Sequence, residues 1–578
     1  MNPELLIAHF NRISDAPDAI PRLRRFILDL AVRGKLVEQG PSDEPASVLL
    51  ERVEKERKRL YKEHIGKDDQ ISTEIREVEK PYSLPTNWQW IRLGECLEMI
   101  NGRAFKPTEW LPAGLPIVRI QNLNTENAPF NYCDESTVEQ RHIIESGCFL
   151  ISWSGTPGTS FGAFIWKRGR AALNQHIFRC IQIGDAYYDR FLQIAINGRL
   201  DEMIAKAHGG VGLQHITKGK LENLPLSLPP LPEQHRIVTK VDEMMALCDK
   251  LEASRTKRES QLDRLTAASH YQLNNGADPE ALRRHASFYL THFQCVSARP
   301  AHIQLLRETI LNLAVRGRLF AQDPNDEPVV RLLAQNDKAR QTIAHKDRRA
   351  DAEPQILLAP AQRWNIPPPW DWRALADLVL FIDYRGKTPT KTERGFRLIT
   401  AKNVKKGFIN ITPEEFLSER EYHVWMTRGI PKNGDILFTT EAPMGNAAVV
   451  RLDERFALAQ RVICFRPYGA VNPDFLTLQL LSEPFQSILI KTATGLTAKG
   501  IKAAKLRRLP VAIPPLAEQL RIVAKVNELM ALCDRLEAQL VTAKDENSSL
   551  LESVLHHCLN DSYDAGSEMD KQSIVSVG

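Results

Sequence analysis

Residues 221–253, LENLPLSLPPLPEQHRIVTKVDEMMALCDKLEA, return at 506–538 as LRRLPVAIPPLAEQLRIVAKVNELMALCDRLEA, with 22 identities in 33 aligned positions. Ordinary composition would give about 2. A second pair lies earlier in each copy: LRRFILDLAVRGKLVEQGPSDEP at 23–45 and LRETILNLAVRGRLFAQDPNDEP at 306–328. Both offsets are about 284 residues, half of the 578-residue chain. Repetition on this scale implies two similar units in one polypeptide, and it constrains the architecture before any local signal does. Such a chain can address a partner that itself has two halves.

Composition excludes more than it selects. A hydrophobic content of 43% permits sizeable cores, and a net charge of +5 is compatible with a nucleic-acid partner without demanding one. Nine cysteines include no Cys-x-x-Cys pair, so neither a zinc module nor a disulfide framework is indicated. Cys248 and Cys533 stand at equivalent apolar helix positions and read as small buried hydrophobes. The start, MNPELLIAHFNRI, has no long apolar core of a signal peptide, and no stretch approaches the ~20 apolar residues of a membrane span. The expectation is a soluble, cytoplasmic protein with no membrane partner.

Along the chain, residues 1–80 read as a helical region, with Leu23, Phe26, Ile27, Leu30 and Ala31 at helical spacing and a solvated charged run at 51–64. Prolines ahead of a Trp-x-Trp pair, at 81–93 and again at 363–375, end the helical arms. Residues 81–232 and 351–517 then alternate short β-branched runs with Gly and polar punctuation, which predicts two mixed α/β domains. Between their anchors the two share little sequence. Residues 233–350 and 518–560 read as helical regions. Ile237, Val241, Met244, Cys248 and Leu251 step by 4, 3, 4, 3, as do Ile522, Val526, Leu529, Cys533 and Leu536, the spacing of a coiled-coil seam. The first seam is expected to fold back on 300–345 and the second on the N-terminal arm. Residues 561–578 read as a disordered tail. The expected fold is thus α/β (α+β): two domains separated by antiparallel coiled-coil helices, with an internal pseudo-twofold repeat.

Catalytic signatures are not found. Gly386-Lys387-Thr388 ends like a phosphate loop, but Phe381 stands where its first glycine belongs. Pro367-Pro368-Pro369-Trp370 has the prolines and aromatic of an amino-methyltransferase motif without its polar first member, and Pro85-Thr86-Asn87-Trp88 loses the pattern; both read as domain entrances. His142, His176 and His215 lack metal-ligand spacing. No metal or catalytic residue is assigned.

The AVRG-[KR]-L and PPLxEQxRIVxKV segments, each present twice around a divergent α/β domain, resemble the DNA-specificity subunit of type I restriction–modification enzymes over residues 1–560. The resemblance implies that 81–232 and 351–517 are target-recognition domains, each reading one half of a bipartite site in double-stranded DNA. It implies that the helical conserved regions set the spacer and dock two methyltransferase subunits, and that restriction subunits complete the complex. The chain would be the non-catalytic DNA-binding subunit of a restriction endonuclease and adenine methyltransferase. S-adenosylmethionine, ATP and magnesium would bind other subunits, and this chain no cofactor.

Physical scale agrees with that design. A helix of about 30 residues is about 45 Å long, and one DNA turn is about 34–36 Å, so helical stalks can hold two readers one turn apart. Base edges are read in the major groove by polar and basic side chains. In the first domain the candidates are Arg103, Lys106, Asn122, Ser154, Thr156, Gln175, Gln214, His215 and Lys218. In the second they are Arg385, Lys387, Thr388, Lys402, Asn403, Gln460, Arg461, Thr497 and Lys499. Arg33, Gly34, Arg316 and Gly317 belong to the repeated frame and read as packing or docking residues, alongside the seam residues Ile237, Val241, Met244, Leu251, Ile522, Val526, Leu529 and Leu536. Glu233-Gln234 and Glu518-Gln519 read as starts or caps of the seam helices. Two alternatives remain: a self-contained DNA adenine methyltransferase with two recognition lobes, and a coiled-coil scaffold that binds no nucleic acid.

Overall fold

The computed structural model describes residues 13–63, 75–125, 127–153, 161–206, 217–276, 278–347, 350–358, 364–384, 388–494 and 499–560. The chain divides into two units, residues 1–257 with 544–578, and residues 258–543. The expected disordered tail lies outside the described residues.

In the first unit, helix α1 (Ala19–Val32) buries Phe26, Ile27, Leu30 and Ala31 of the expected stripe, covers Leu23 in part and adds Ile20. It stops at Gly34, whose φ of +68° lets the Lys35 N–H reach back to the Leu30 carbonyl at 2.9 Å. Helix α2 (Ala46–Glu63) buries Leu49 and Val53 and leaves most of its charged run in solvent. The chain enters its α/β head through strand Gln89–Arg92 and leaves through Pro225–Leu228, and the two pair antiparallel. Inside, an antiparallel sheet runs in the order Leu97–Asn101, Ile177–Gln182, Phe149–Ser152, Gly162–Ile165. A second sheet runs Asn131–Cys133, Leu115–Val118, Ala171–Leu173, Ile143–Ile144, with its middle pair parallel. Helix α3 (Asp189–Lys206) packs on the first sheet, and helix α4 (Leu231–Asn275) begins where the head ends.

The second unit repeats this order. Helices α5 (Pro300–Val315) and α6 (Val329–Lys346) precede an entrance pair of Asp371–Ala374 with Pro510–Ile513. The main sheet runs Val379–Asp383, Val462–Pro467, Ile436–Thr439, Ala447–Val449, and the smaller one Phe416–Leu417, Phe396–Ile399, Phe456–Leu458 with the last pair parallel. Helices α7 (Pro473–Leu481) and α8 (Glu483–Thr492) stand where α3 stood, and α9 (Leu516–Asn560) begins as α4 does. The two heads therefore share the order of the main sheet and of three strands of the smaller one, although their sequences diverge and, among the described residues, the strand Ile143–Ile144 has no counterpart in the second head. A backbone ladder asks only for apolar alternation and turns in the right places, so topology survives side-chain replacement.

The seam helices choose partners differently from the expectation. Ile237, Val241 and Met244 pack with Ile20, Ile27 and Ala31 of α1, not with 300–345. Ile522, Val526, Leu529 and Leu536 pack with Ile303 and Ile310 of α5, not with the N-terminal arm. Arg24 pairs with Asp249 at 2.6 Å and Glu252 at 3.0 Å; Arg307 pairs with Asp534 at 2.6 Å and Glu537 at 2.9 Å. The expected partners are met further along each helix. His270 and Asn274 of α4 bond to Thr309, while Leu551, Val554 and Leu555 of α9 pack on Ile13, Phe26 and Leu30. Leu251 is a correction: it is 46% exposed, because the row of α4 that follows α1 passes through Cys248, Glu252 and Arg255. Cys248 and Cys533 are buried, and burial pushes both thiols up. Among the described residues no helix is long and apolar enough to cross a membrane.

Candidate nucleic-acid interface

The repeated motifs fasten each head to its own helices. Glu233, in the first turn of α4, is buried and accepts hydrogen bonds from the Trp88 indole N–H at 3.0 Å and the Gln39 amide at 2.7 Å. Glu518 does the same with Trp370 at 3.1 Å and Gln322 at 3.2 Å. Burial holds both carboxyls above the usual glutamate range, against the lowering effect of those donors. Gln234 donates to the carbonyls of Ala186 and Pro229, and Gln519 to those of Ala470 and Pro514. As expected, these pairs stand at the starts of the seam helices, but their side chains turn toward the head and its entrance instead of capping the helix. Gly34 and Gly317 press on Pro85 and Trp88, and on Pro367 and Trp370; a Cβ on either would stand 2.5 Å from a proline Cγ. Arg33 lies 4.9 Å over the Tyr82 ring, and Arg316 donates to the Asn274 carbonyl at 2.7 Å. All four residues have packing partners within their own unit.

With each head fastened to its own helices by these contacts, its loops can present side chains. In the second head Thr388, Lys402, Gln460 and Arg461 come together, lining a cleft of about 150 Å³ with Lys391 and Glu415. The Gln460 amide donates to the Thr388 hydroxyl at 3.1 Å, Lys391 pairs with Glu415 at 2.7 Å, and Arg461 lies 3.9 Å from Glu441 with half its side chain exposed. Lys391 and Glu415 escaped the sequence reading because they sit on either side of the strand Phe396–Ile399, 24 residues apart, and only folding joins them. Lys499 is exposed. Arg385, Lys387 and Thr497 lie outside the described residues.

In the first head Lys106 and Lys218 are exposed, the latter 3.4 Å from Glu222. Gln175 is half-buried, with its amide 3.3 Å from the His176 ring. Arg103 is engaged internally: it pairs with Glu109, donates to the Thr137 carbonyl at 3.3 Å and lies 4.7 Å over Phe105. Ser154, Thr156, Gln214 and His215 lie outside the described residues.

Asn122 and Asn403 are corrections. Both are buried, at 2% and 1% exposure, and cannot reach a base edge. Asn122 accepts from the Arg119 N–H and donates to the carbonyls of Ala128 and Pro129; Asn403 accepts from Thr400 and donates to the carbonyls of Asn410 and Pro413. Each pins the loop after the parallel strand of its smaller sheet. Among the described residues no group of three or more His, Cys, Asp or Glu is placed to hold a metal ion.

Two heads with one main-sheet order, on a frame written twice, match a known family in the same two places. The family model for the type I restriction modification DNA specificity domain covers residues 85–259 and 372–543. The chain belongs to this family. It is a DNA specificity subunit of a type I restriction–modification system, the recognising rather than the catalytic member of a complex. The specificity subunit of the EcoAI type I restriction enzyme of Escherichia coli is 27% identical over 563 residues, 94% of each chain. That of EcoEI, also from Escherichia coli, is 25% identical over 566 residues, again 94% of each. A crystal structure of the HsdS subunit from Thermoanaerobacter tengcongensis is 18% identical, covering 83% of this chain and 99% of that chain, with a TM-score of 0.43.

Proposed function

We propose that each head reads one half of a bipartite DNA site, and that α4 and α9 set the number of unread base pairs between the halves. The observation that carries this is the pair of heads with one main-sheet order and divergent loop side chains, each locked to an equivalent frame by Trp–Glu and Gly–Pro contacts. A duplicated reader with unlike contact residues fits a target with two unlike halves. Major-groove edges distinguish all four base pairs, and a single small domain spans only a few of them. The exposed cations of the loops fit phosphate contacts, which position a protein without carrying sequence. Two methyltransferase subunits and the restriction subunits complete the complex in the cytoplasm; S-adenosylmethionine, ATP and magnesium serve those subunits, and this chain holds no cofactor.

The test is a matched deletion of one heptad, 256–262 from α4 and the equivalent 541–547 from α9, both mostly exposed stretches. Seven helical residues span about 10.5 Å, and a base pair rises 3.4 Å. Mapping of methylated sites should show the spacer shortened by up to about three base pairs with both half-sites intact. Changed half-sites with an unchanged spacer would refute the assignment.

A further inference from the structure

The two heads build one turn identically and furnish it differently. In the first, Leu173 ends a strand paired in parallel with Val118, and Ile177 begins the next, paired with Ser152. In the second, Leu458 pairs with Ile399, and Val462 with Thr439. The three residues between are Asn174-Gln175-His176 and Ala459-Gln460-Arg461. Three backbone hydrogen bonds recur. Asn174 and Ala459 donate to Val118 and Ile399, Trp153 and Thr440 donate to the carbonyls of His176 and Arg461, and Ile177 and Val462 donate back to the carbonyls of Asn174 and Ala459. The two positions are thus fixed alike, while the residue after the shared glutamine is histidine in one head and arginine in the other.

Both turns carry unspent polar capacity. Gln175 Oε1 and His176 Nδ1 are buried and have no hydrogen-bond partner among the described residues, which in a folded protein asks for an explanation. Gln460 and Arg461 line the cleft of the second head, where the half-exposed Arg461 side chain makes, among the described residues, one long contact, 3.9 Å from Glu441. A side chain present in both heads serves what the half-sites share; a side chain that differs can serve what distinguishes them.

Resting on the proposed half-site readers, we infer that His176 and Arg461 are equivalent specificity-determining positions, Arg461 reading a guanine edge, and that Gln175 and Gln460 are common anchors beside them. An arginine fork matches guanine O6 and N7, a pairing the imidazole of histidine cannot reproduce.

The experiment co-expresses full-length variants with the methyltransferase subunits and maps methylated sites genome-wide. Arg461→Ala should relax the second half-site at one guanine position, raising methylation of the other bases there about 10-fold relative to guanine. The first half-site should stay as it was. Gln460→Ala should lower methylation at all sites without changing the motif. If Arg461→Ala abolishes methylation, Arg461→His, which carries the first head's residue, is scored in the same way. An unchanged motif in the Arg461 variants overturns the inference, and so does a uniform loss without relaxation, which would mark a phosphate contact. A wild-type complex that yields no bipartite motif would instead sink the half-site assignment itself.

Discussion

Replacing Gly34 by alanine should unlock the first head from its frame, and the cost can be worked from the geometry. The residue sits at φ +68°, a conformation that costs an L-residue about 1–2 kcal/mol. The new Cβ would stand 2.5 Å from Pro85 Cγ and 3.0 Å from Trp88 Cζ2. Trp88 cannot yield freely, because it is buried and tied to Glu233. Relieving that overlap costs about 1–3 kcal/mol. The stiffer unfolded chain returns about 0.4–1 kcal/mol. The net loss is about 1–4.5 kcal/mol, a sizeable part of the 5–15 kcal/mol typical of a folded protein. For a unit of this size, calorimetry should show the melting temperature lowered by about 2–18 °C. Gly317→Ala should cost the second unit a similar amount, since Pro367 and Trp370 stand at 2.5 and 2.9 Å from its Cβ position. Gly219→Ala is the control, its Cβ meeting nothing within 4 Å. If Gly34→Ala melts like Gly219→Ala, the contact is not a lock and the account of the AVRG motif fails.

Two further outcomes are expected. Asn403→Ala removes the pin of a buried loop, losing two accepted and two donated hydrogen bonds; at about 1 kcal/mol each, thermal unfolding should show a loss of about 2–4 kcal/mol, and a shift of the methylated sequence instead would place Asn403 on the DNA. His270 is buried beside Thr309 and Tyr289, and burial lowers its pKa to about 4 from 6.5, so the folded protein holds the proton less tightly than the unfolded chain. Its contribution is complete above pH 6.5 and is lost as the pH falls toward 4, roughly 3 kcal/mol in all; a His270→Gln variant should show a flatter pH dependence of melting, and a curve parallel to the wild type would refute the assignment.

The sequence by itself determined the frame. Twenty-two identities in 33 positions, the AVRG pair and the proline–tryptophan entrances announced two units, each a head between helices, and the structure has them. These features were legible because they are local: helix periodicity, a glycine that ends a helix and a proline that forbids one act within a turn or two of chain. What only tertiary structure decided were the pairings across distance. Seam periodicity says that Ile237 and Ile522 must be covered but not by what, since any apolar stripe satisfies the pattern; α1 and α5 won. Polar residues in divergent loops looked alike in sequence, yet Asn122 and Asn403 are buried pins while Gln460 and Arg461 face a cleft. A hydrogen-bonding side chain serves the fold or a ligand according to which partners surround it, and those partners arrive from strands dozens of residues away.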